Sequence, residues 1–387
     1  MDHGPSNALI DFGPTGDYLA GLMEWVAIES PTADAAAVNR MMDRAATELE
    51  GVGARVERIA GRDGRGGHLV ATAPWNEAGS PGILVLLHLD TVHPLGSLAL
   101  NPIRTEGNRA YGPGIIDMKA GAYLALTALK RLVAAGRRTP LPVTLVVVSD
   151  EETGSMTSRD LIESLARQSR YALVMEPARV GGRVVTSRKG VGRFRLSVRG
   201  VPAHAGNAHA DGRSAIRELA TQILRLEEMT DYGRGITVNV GRVEGGTADN
   251  VVPELASAAI DLRVPTEVIA KEMTARILSL VPALSGTLVE VTGGMNRSPY
   301  RKSDRRDIGQ LFDHAVGLAR EIGFTLADLP NGEGAGGSDG QFCVDYVPVL
   351  DGLGPCGGGL HTHDEYIELD SVRPRGTLLL HLLQTLS

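Results

Sequence analysis

Acidic and imidazole side chains recur in this sequence directly after short apolar runs. Each run is rich in Val, Ile or Leu, which is typical of a buried strand. The side chains that follow these runs are His88, Asp90, Glu151, Glu152 and Glu176. Open α/β sheets bind ligands at the carboxyl ends of their strands, so we expect these groups to meet at one edge of a sheet.

His88 and Asp90 stand in the segment Leu-Leu-His-Leu-Asp-Thr-Val. Alternation along a strand places both side chains on one face. A neutral imidazole is a good zinc ligand, and a carboxylate two residues away can hold the ring in a fixed orientation. Such a pair is ordinary at a strand end, so it becomes informative only together with other ligands.

Asp117 follows the tripeptide Gly-Pro-Gly and precedes a helical pattern. Its carboxylate could simply cap that helix. The two glycines, however, let the backbone pass close to another group, as happens at a binding site. The residues around Asp117 leave both interpretations open.

Two further segments carry groups of the same kind. Asp150, Glu151 and Glu152 are consecutive, and three neighbouring carboxylates repel one another unless water or a cation neutralises them. A solvated turn is the simpler interpretation of that triplet. His361 lies in Gly-Gly-Gly-Leu-His-Thr-His, beside a glycine loop.

Taken together, these groups suit a pair of divalent metal ions, with zinc the most natural choice and one carboxylate bridging. The set comprises His88, Asp117, Glu151, Glu152, Glu176 and His361. Two metal ions lower the pKa of a bound water and polarise a carbonyl group. One carboxylate must then stay free of metal to accept and return a proton.

Length and composition narrow the class of protein. The chain has 387 residues, of which 43% are hydrophobic and 22% charged, with a formal net charge of -7. Its length exceeds one ordinary hydrophobic core, so two compact units are expected. The charge argues against a nucleic-acid or anionic-membrane partner, and no apolar run reaches the roughly 18 residues of a spanning helix.

The expected location is the cytoplasm. The first basic residue is Arg40, so the chain lacks the positively charged start of a secretory signal. Cys343 and Cys356 are too few to form a disulfide framework, and two free thiols are expected.

The spacing of apolar residues predicts the elements that must position these side chains. Helical spacing covers 18–29, 35–52, 118–135, 214–228, 268–281 and 369–386, and strand-like runs cover 83–87, 143–148, 172–175, 194–198, 236–243, 256–264 and 288–291. The first part alternates strands and helices, which indicates an α/β layered sheet. Strands with one polar face then appear, which indicates an α+β sandwich. We therefore predict a discontinuous catalytic domain, 1–187 and 296–387, interrupted by an inserted domain, 188–295.

These motifs, in this order and spacing, resemble the dinuclear zinc peptidase and deacylase family of glutamate carboxypeptidase, acetylornithine deacetylase, succinyl-diaminopimelate desuccinylase and aminoacylase. The resemblance implies a zinc-exopeptidase-like three-layer α/β domain with an inserted α+β dimerisation domain. It implies that one zinc is held by His88, Asp117 and Glu176, and the other by Asp117 as bridge, Glu152 and His361. Asp90 would orient His88, and Glu151 would be the general base. Cobalt or manganese could replace zinc.

The resemblance extends to the inserted domain and to the substrate. Gly-Val-Pro-Ala-His-Ala-Gly resembles a segment whose histidine, here His204, reaches the active site of the partner subunit in a homodimer and stabilises an oxyanion. The residues implied to bind the substrate are Asn250, Arg263, Arg297, Ser338 and Arg183. The last of these stands where the glutamate carboxypeptidase branch uses a lysine, and arginine replaces its charge but not its shape.

The expected function is hydrolysis of an amide bond next to a free carboxylate. Arg-Lys-Gly at 188–190 and Asn-Arg-Ser-Pro-Tyr at 296–300 most resemble the glutamate carboxypeptidase branch. A carboxypeptidase that releases C-terminal glutamate or a similar amino acid is therefore expected, with a deacylase of N-acyl amino acids as the alternative. Glycine loops at 112–114, 332–340 and 352–359 are expected around the site.

Overall fold

The structure is a computed structural model that describes residues 9–76, 79–329 and 336–387. Contacts divide the chain into two compact units. The first unit contains the residues up to Thr186 together with Lys302–Leu329 and Ser338–Ser387. The second unit contains Ser187–Arg301 and the adjoining Gly336 and Gly337. Part of the predicted glycine loop, 332–335, lies outside the described residues.

The secondary structure mixes strands and helices throughout the chain. The strands are β1 (Arg55–Ile59), β2 (His68–Thr72), β3 (Gly82–His88), β4 (Arg104–Glu106), β5 (Arg109–Tyr111), β6 (Val143–Val148), β7 (Ser169–Val174), β8 (Ser187–Arg188), β9 (Gly190–Arg199), β10 (Thr237–Gly245), β11 (Leu255–Val264), β12 (Leu288–Arg297), β13 (Tyr300–Arg301), β14 (Val349–Leu350), β15 (Gly357–Gly358) and β16 (Tyr366–Glu368). The helices are α1 (Thr15–Val26), α2 (Ala35–Gly51), α3 (Ala120–Ala134), α4 (Arg159–Ala166), α5 (Ala215–Glu227), α6 (Glu267–Leu278), α7 (Arg306–Ile322) and α8 (Leu369–Thr385).

A six-stranded sheet in the order β1-β2-β6-β3-β7-β14 forms the centre of the first unit. Strands β6, β3, β7 and β14 are parallel, and β1 and β2 are antiparallel at one side. Every residue of β3 is buried, because helix α3 and the neighbouring elements cover this strand. Helix α2 packs against β1 and β2, and α4 packs against β7. The parallel centre brings the carboxyl ends of β3, β6 and β7 to one edge.

The second unit contains an antiparallel sheet in the order β10-β11-β9-β12. Burial alternates along β9 and β11, so one face of the sheet is covered and the other is open. Helices α5 and α6 pack on the covered face around a core that includes Leu196, Leu262 and Met273.

Each predicted helix and strand is present, although several ends are displaced. The elements that the spacing did not predict are helices α4 and α7 and strands β1, β2, β4, β5, β8 and β13 to β16, most of which are short. Strand β1 lacks an apolar run because most of its side chains are exposed at the edge of the sheet. Cys343 and Cys356 are free thiols, as predicted. Among the described residues, none of the helices combines the length and apolar character that crossing a bilayer requires.

Candidate metal centre

The carboxyl ends of β3, β6 and β7 bring together the side chains that follow them in sequence. His88 is the last residue of β3 and pairs with Val148 at the end of β6. A single turn of 3₁₀ helix, Glu151–Thr153, begins shortly after β6, and Glu176 follows β7. This arrangement confirms that the parallel sheet gathers these groups at one edge.

Asp117 reaches the same place from an irregular turn. Helix α3 begins at Ala120, so Asp117 lies outside the helix and does not cap it. The backbone at Gly114 has a φ of 68°, and a Cβ there would stand 2.4 Å from Thr91 Cγ2. The close approach predicted for the Gly-Pro-Gly segment is therefore confirmed. The Asp117–Met118 peptide bond is cis.

The two carboxylate oxygens of Asp117 face two different histidines. Asp117 Oδ1 lies 3.2 Å from His88 Nε2, and Oδ2 lies 3.3 Å from His361 Nε2. His88 Nε2 is also 3.7 Å from Glu176 Oε1, and His361 Nε2 is 3.5 Å from Glu152 Oε2. Asp117 thus stands between a His88–Glu176 pair and a His361–Glu152 pair, as the bridging ligand of two metal ions must.

Asp90 is fully buried behind this centre and contacts two of its segments. His88 Nδ1 lies 3.0 Å from the backbone oxygen of Asp90 and 3.5 Å from its carboxylate. The Asp90 carboxylate also accepts hydrogen bonds from the backbone N–H groups of Glu151 (3.3 Å) and Glu152 (3.2 Å). One carboxylate therefore orients the His88 ring and the turn that carries both glutamates.

The third member of the acidic triplet points away from the cluster. Asp150 is buried and accepts hydrogen bonds from the Thr157 N–H (2.6 Å), the Thr157 hydroxyl (2.8 Å) and the Ser158 hydroxyl (2.6 Å). The triplet is therefore neither a solvated turn nor three ligands. Asp150 stabilises the segment that follows the turn, and of the triplet only Glu151 and Glu152 lie at the site.

Crowding of carboxylates without a cation perturbs the ionisation of the cluster. Burial raises the pKa of Glu176 well above its ordinary value, and the charge of Asp117 raises it further. Burial likewise raises the pKa of Glu152. Hydrogen bonds to Asp117 and Glu152 raise the pKa of His361 to about 10. Several buried anions that share two histidines are the electrostatic setting in which a divalent cation binds.

A second observation shows that these imidazoles and carboxylates suit metal ions. Glu152 Oε1 is buried and has no hydrogen-bond partner among the described residues. The His88 Nδ1 proton is directed to the Asp90 backbone oxygen, so Nε2, 3.2 Å from Asp117 Oδ1, is the ring nitrogen that would bind a metal ion. Single ligand atoms of His88, Asp117 and Glu152 lie within 4.8 Å of one another, as do those of His88, Glu151 and Glu176. Imidazoles and carboxylates in this number match zinc, cobalt or manganese.

The two substrate residues predicted in the first unit have other contacts in the structure. Ser338 is buried, and its hydroxyl donates to Asp351 Oδ2 at 2.5 Å and accepts from the Gly340 N–H at 3.2 Å. Arg183 ends a tight turn in which its N–H donates to the carbonyl oxygen of Arg179 at 3.2 Å. The Ser338 side chain thus supports its own loop, and a role in substrate binding stays a prediction.

Four predicted residues lie in the second unit. His204 is exposed, and its Nδ1 accepts the N–H groups of Gly206 and Asn207, each at 3.1 Å. This fixes the ring proton on Nε2, which is therefore a hydrogen-bond donor. The Asn250 carbonyl oxygen accepts the N–H of Ala205 at 2.9 Å, so Asn250 and His204 lie on adjoining segments.

The two arginines of that unit that were predicted to bind substrate have contacts within the unit. Arg263 Nε and Nη2 bind both carboxylate oxygens of Asp261, at 2.7 and 3.0 Å. Arg297 is 4% exposed and packs against the backbone of Gly337. A role for either arginine in substrate binding stays a prediction.

Sequence reasoning missed the role of Glu365 and its partner His93. Glu365 is fully buried, and its carboxylate contacts His93 and the turn that carries Asp117. The available signal is its position in Asp-Glu-Tyr at 364–366, four residues after His361. His93 carried no signal, because an isolated histidine after a strand has no characteristic spacing.

Comparison with known proteins identifies the family. Residues 84–385 match peptidase family M20/M25/M40, and this range includes every proposed metal ligand. The chain belongs to this family. It is 29% identical over 314 residues to carboxypeptidase G2 of Pseudomonas sp. (strain RS-16), covering 80% of this chain and 74% of that protein. It is 28% identical over 361 residues to succinyl-diaminopimelate desuccinylase of Bordetella parapertussis, covering 88% and 91%.

Solved structures share the fold at low sequence identity. An M20 family metallo-carboxypeptidase from Sulfolobus solfataricus superposes with a TM-score of 0.74 at 18% identity, covering 95% of this chain and 98% of that one. A tripeptidase from Staphylococcus aureus gives a TM-score of 0.73 at 20% identity, covering 96% and 98%. The predicted fold class, an α/β unit with an α+β unit inserted into it, is confirmed. The protein is a metal-dependent hydrolase of the peptidase and deacylase type.

Proposed function

We propose that this protein is a zinc-dependent carboxypeptidase that releases C-terminal glutamate or a similar amino acid. The observation that carries the proposal is the position of Asp117 between the His88–Glu176 and His361–Glu152 pairs. Support for a peptide substrate comes from the carboxypeptidase G2 relative, which matches 80% of this chain.

In this proposal His88, Asp117 and Glu176 hold one zinc ion, and Asp117, Glu152 and His361 hold the other. The bound ions would polarise the scissile carbonyl and acidify a water molecule. Glu151 is the proposed general base. Its short turn is anchored by Asp90, and Glu151 lies in the same group as His88 and Glu176. Glu151 takes the proton of the attacking water and returns it to the leaving nitrogen.

We further propose that the protein is a homodimer in which the second unit is the dimerisation domain and the first is the catalytic domain. His204 of the partner subunit would stabilise the oxyanion of the tetrahedral intermediate. The hydrogen bonds to Nδ1 support this role, because they leave the Nε2 proton available for an electrostatic contact with the oxyanion.

The proposed substrate contacts come from Asn250, Arg263, Arg297, Ser338 and Arg183. The guanidinium groups suit a free carboxylate because they present paired donors. Arg263 already binds Asp261, so a substrate carboxylate would share or replace that partner.

Replacement of Glu151 tests the catalytic step. We expect Glu151→Gln to retain its fold and two zinc ions per chain while its kcat falls by at least about 100-fold, since the general base is lost. Hydrolysis of an N-acyl-glutamate would be followed together with metal content, with the exposed Glu321→Gln variant as control. A Glu151→Gln enzyme with normal turnover would refute the assignment.

Mixing two inactive variants tests the role across the dimer. His204→Ala should lose activity and keep its metal. Combined with Glu151→Gln, it should recover part of the activity, because in mixed dimers one site has an intact Glu151 and receives an intact His204 from its partner. Absence of recovery in dimers shown to have exchanged subunits would contradict the role in trans.

A deacylase of N-acyl amino acids is the second candidate. The similarity to succinyl-diaminopimelate desuccinylase over 88% of this chain favours it, since the two activities need the same metal residues and differ in the groups that bind the substrate. A panel of N-acyl-glutamate, N-acetyl-ornithine, N-succinyl amino acids and dipeptides, assayed with and without chelator, would separate the candidates. Preference for dipeptides supports the carboxypeptidase, and preference for N-acetyl-ornithine or N-succinyl substrates over dipeptides supports the deacylase.

A further inference from the structure

The buried carboxylate of Glu365 accepts hydrogen bonds from four donor groups. Its Oε1 accepts the backbone N–H groups of Ile116 (2.8 Å) and Asp117 (3.0 Å). Its Oε2 accepts the Gly114 N–H at 2.9 Å and lies 2.5 Å from His93 Nε2. The side chain is completely shielded from solvent. Four donors saturate the acceptor capacity of a carboxylate.

The backbone of Glu365 fastens the same turn. Its carbonyl oxygen accepts the Gly112 N–H at 3.3 Å and the Asn101 side-chain amide at 3.4 Å. The N–H groups of Gly112, Gly114, Ile116 and Asp117 are therefore all directed to one residue. The turn is irregular, with Asp117 at φ -116° and ψ 94°, so regular helical hydrogen bonds do not define its shape.

His93 connects this arrangement to a third segment of the chain. It is buried and lies shortly after His88, at the carboxyl end of β3. Glu365 itself follows His361 by four residues. The contact of His93 with Glu365 thus joins the segments that carry His88 and His361, while the Glu365 carboxylate holds the turn that carries Asp117.

We infer that Glu365, held in place by His93, is a positioning residue that sets the location of the bridging ligand Asp117 and thereby the affinity and geometry of the metal centre. The inference rests on the proposed metal assignment and adds two residues that touch neither metal nor substrate. Without an acceptor at this place, the N–H groups of Ile116 and Asp117 would be buried without partners, and the turn would shift. A shift at Asp117 changes both metal sites, because each of its oxygens faces a different site.

The test measures metal binding as well as activity. Glu365→Gln keeps the size of the side chain but offers a single acceptor oxygen and adds an N–H₂ group that opposes the backbone donors. We expect Zn²⁺ affinity, measured by competition with a chromophoric chelator, to fall about 10- to 100-fold. The absorption spectrum of the Co²⁺-loaded protein should change as well, while far-UV circular dichroism keeps the wild-type fold. Glu368→Gln, three residues away and partly exposed, is the matched control and should leave metal affinity and spectrum unchanged.

His93 supplies a second and milder test. His93→Phe removes one of the four donors and should weaken Zn²⁺ binding in the same direction, whereas His93→Gln retains a donor and should restore much of the affinity. Unchanged metal affinity and spectrum in Glu365→Gln would overturn the inference. If that variant does not fold, unchanged binding in His93→Phe would overturn it. A wild-type protein that binds metal but hydrolyses no amide would refute the proposed function and leave this inference standing.

Discussion

Asp90→Asn is the most informative substitution, because it keeps the shape of a buried side chain and removes only its charge and one acceptor. In the native protein Asp90 Oδ2 accepts the Thr32 hydroxyl at 2.8 Å and the Glu152 N–H at 3.2 Å. Its Oδ1 accepts the Glu151 N–H at 3.3 Å and lies 3.5 Å from His88 Nδ1. An asparagine oxygen can replace Oδ1 or Oδ2, but not both.

The loss can be estimated from these partners. If the amide nitrogen replaces Oδ2, the Thr32 hydroxyl can turn to donate to the Thr91 carbonyl oxygen, 3.2 Å away, and accept from the new amide. The Glu152 N–H cannot turn and loses its acceptor. A lost charge-assisted hydrogen bond with a buried donor left unpaired costs about 1.5–3 kcal/mol. The free energy of unfolding of the metal-free protein should fall by about this amount. Metal affinity should fall about 10- to 100-fold, as for other residues that orient metal ligands.

The assay is Zn²⁺ competition against a chelator of known affinity, accompanied by thermal unfolding with and without metal. Asp345→Asn, an exposed aspartate, is the matched control. We expect Asp90→Asn to lose affinity and part of the stabilisation that bound metal provides, since a ligand that binds only the folded state stabilises it by RT ln(1 + c/Kd), where c is the free ligand concentration, an amount that falls as Kd rises. Metal affinity and stability equal to those of Asp345→Asn would refute the reasoning.

Two further predictions concern stability. A Cβ on Gly121, in α3, would stand 1.9 Å from the carbonyl oxygen of Met175, so Gly121→Ala should lower the free energy of unfolding by about 1–3 kcal/mol and displace the segment that leads to Glu176. Gly309→Ala, at a position of α7 with open space around it, should raise the free energy of unfolding by about 0.5–1 kcal/mol. Equal effects of the two substitutions in chemical denaturation would contradict this packing argument. Although burial opposes it, hydrogen bonds from the Ala283 N–H and Gln222 lower the pKa of Glu218. Its stabilisation is therefore present above the unfolded pKa of about 4.3 and is lost as the pH falls through the lower folded value. The difference in Tm between wild type and Glu218→Gln should be largest near pH 7 and shrink below about pH 4, and a difference independent of pH would refute it.

The proposed metal ligands were accessible from the sequence because their signal is local. His88, Glu152 and Glu176 follow apolar runs, and parallel strands carry their carboxyl ends to the same edge. The glycines before Asp117 likewise predicted that the backbone passes close to another group. The structure shows this at Gly114, which lies close to Thr91. Side-chain periodicity therefore predicted the fold class and three of the proposed ligands, whereas Asp117 and His361 stood out by the glycines beside them.

Contacts between distant segments were not accessible, because nothing local encodes a partner. Asp150 and Glu151 are neighbours in an acidic triplet, yet one is turned inward by Thr157 and the other remains at the site.

The contacts of Glu365 are the clearest example of contacts that the sequence does not predict. The sequence by itself determined which residue types would form the metal centre and at which strand ends they would stand. Only the tertiary structure decided that the turn carrying Asp117 is held by Glu365, 248 residues further along the chain. The physical reason is that buried N–H groups must find acceptors, and in an irregular turn the acceptor comes from whichever segment packs against it.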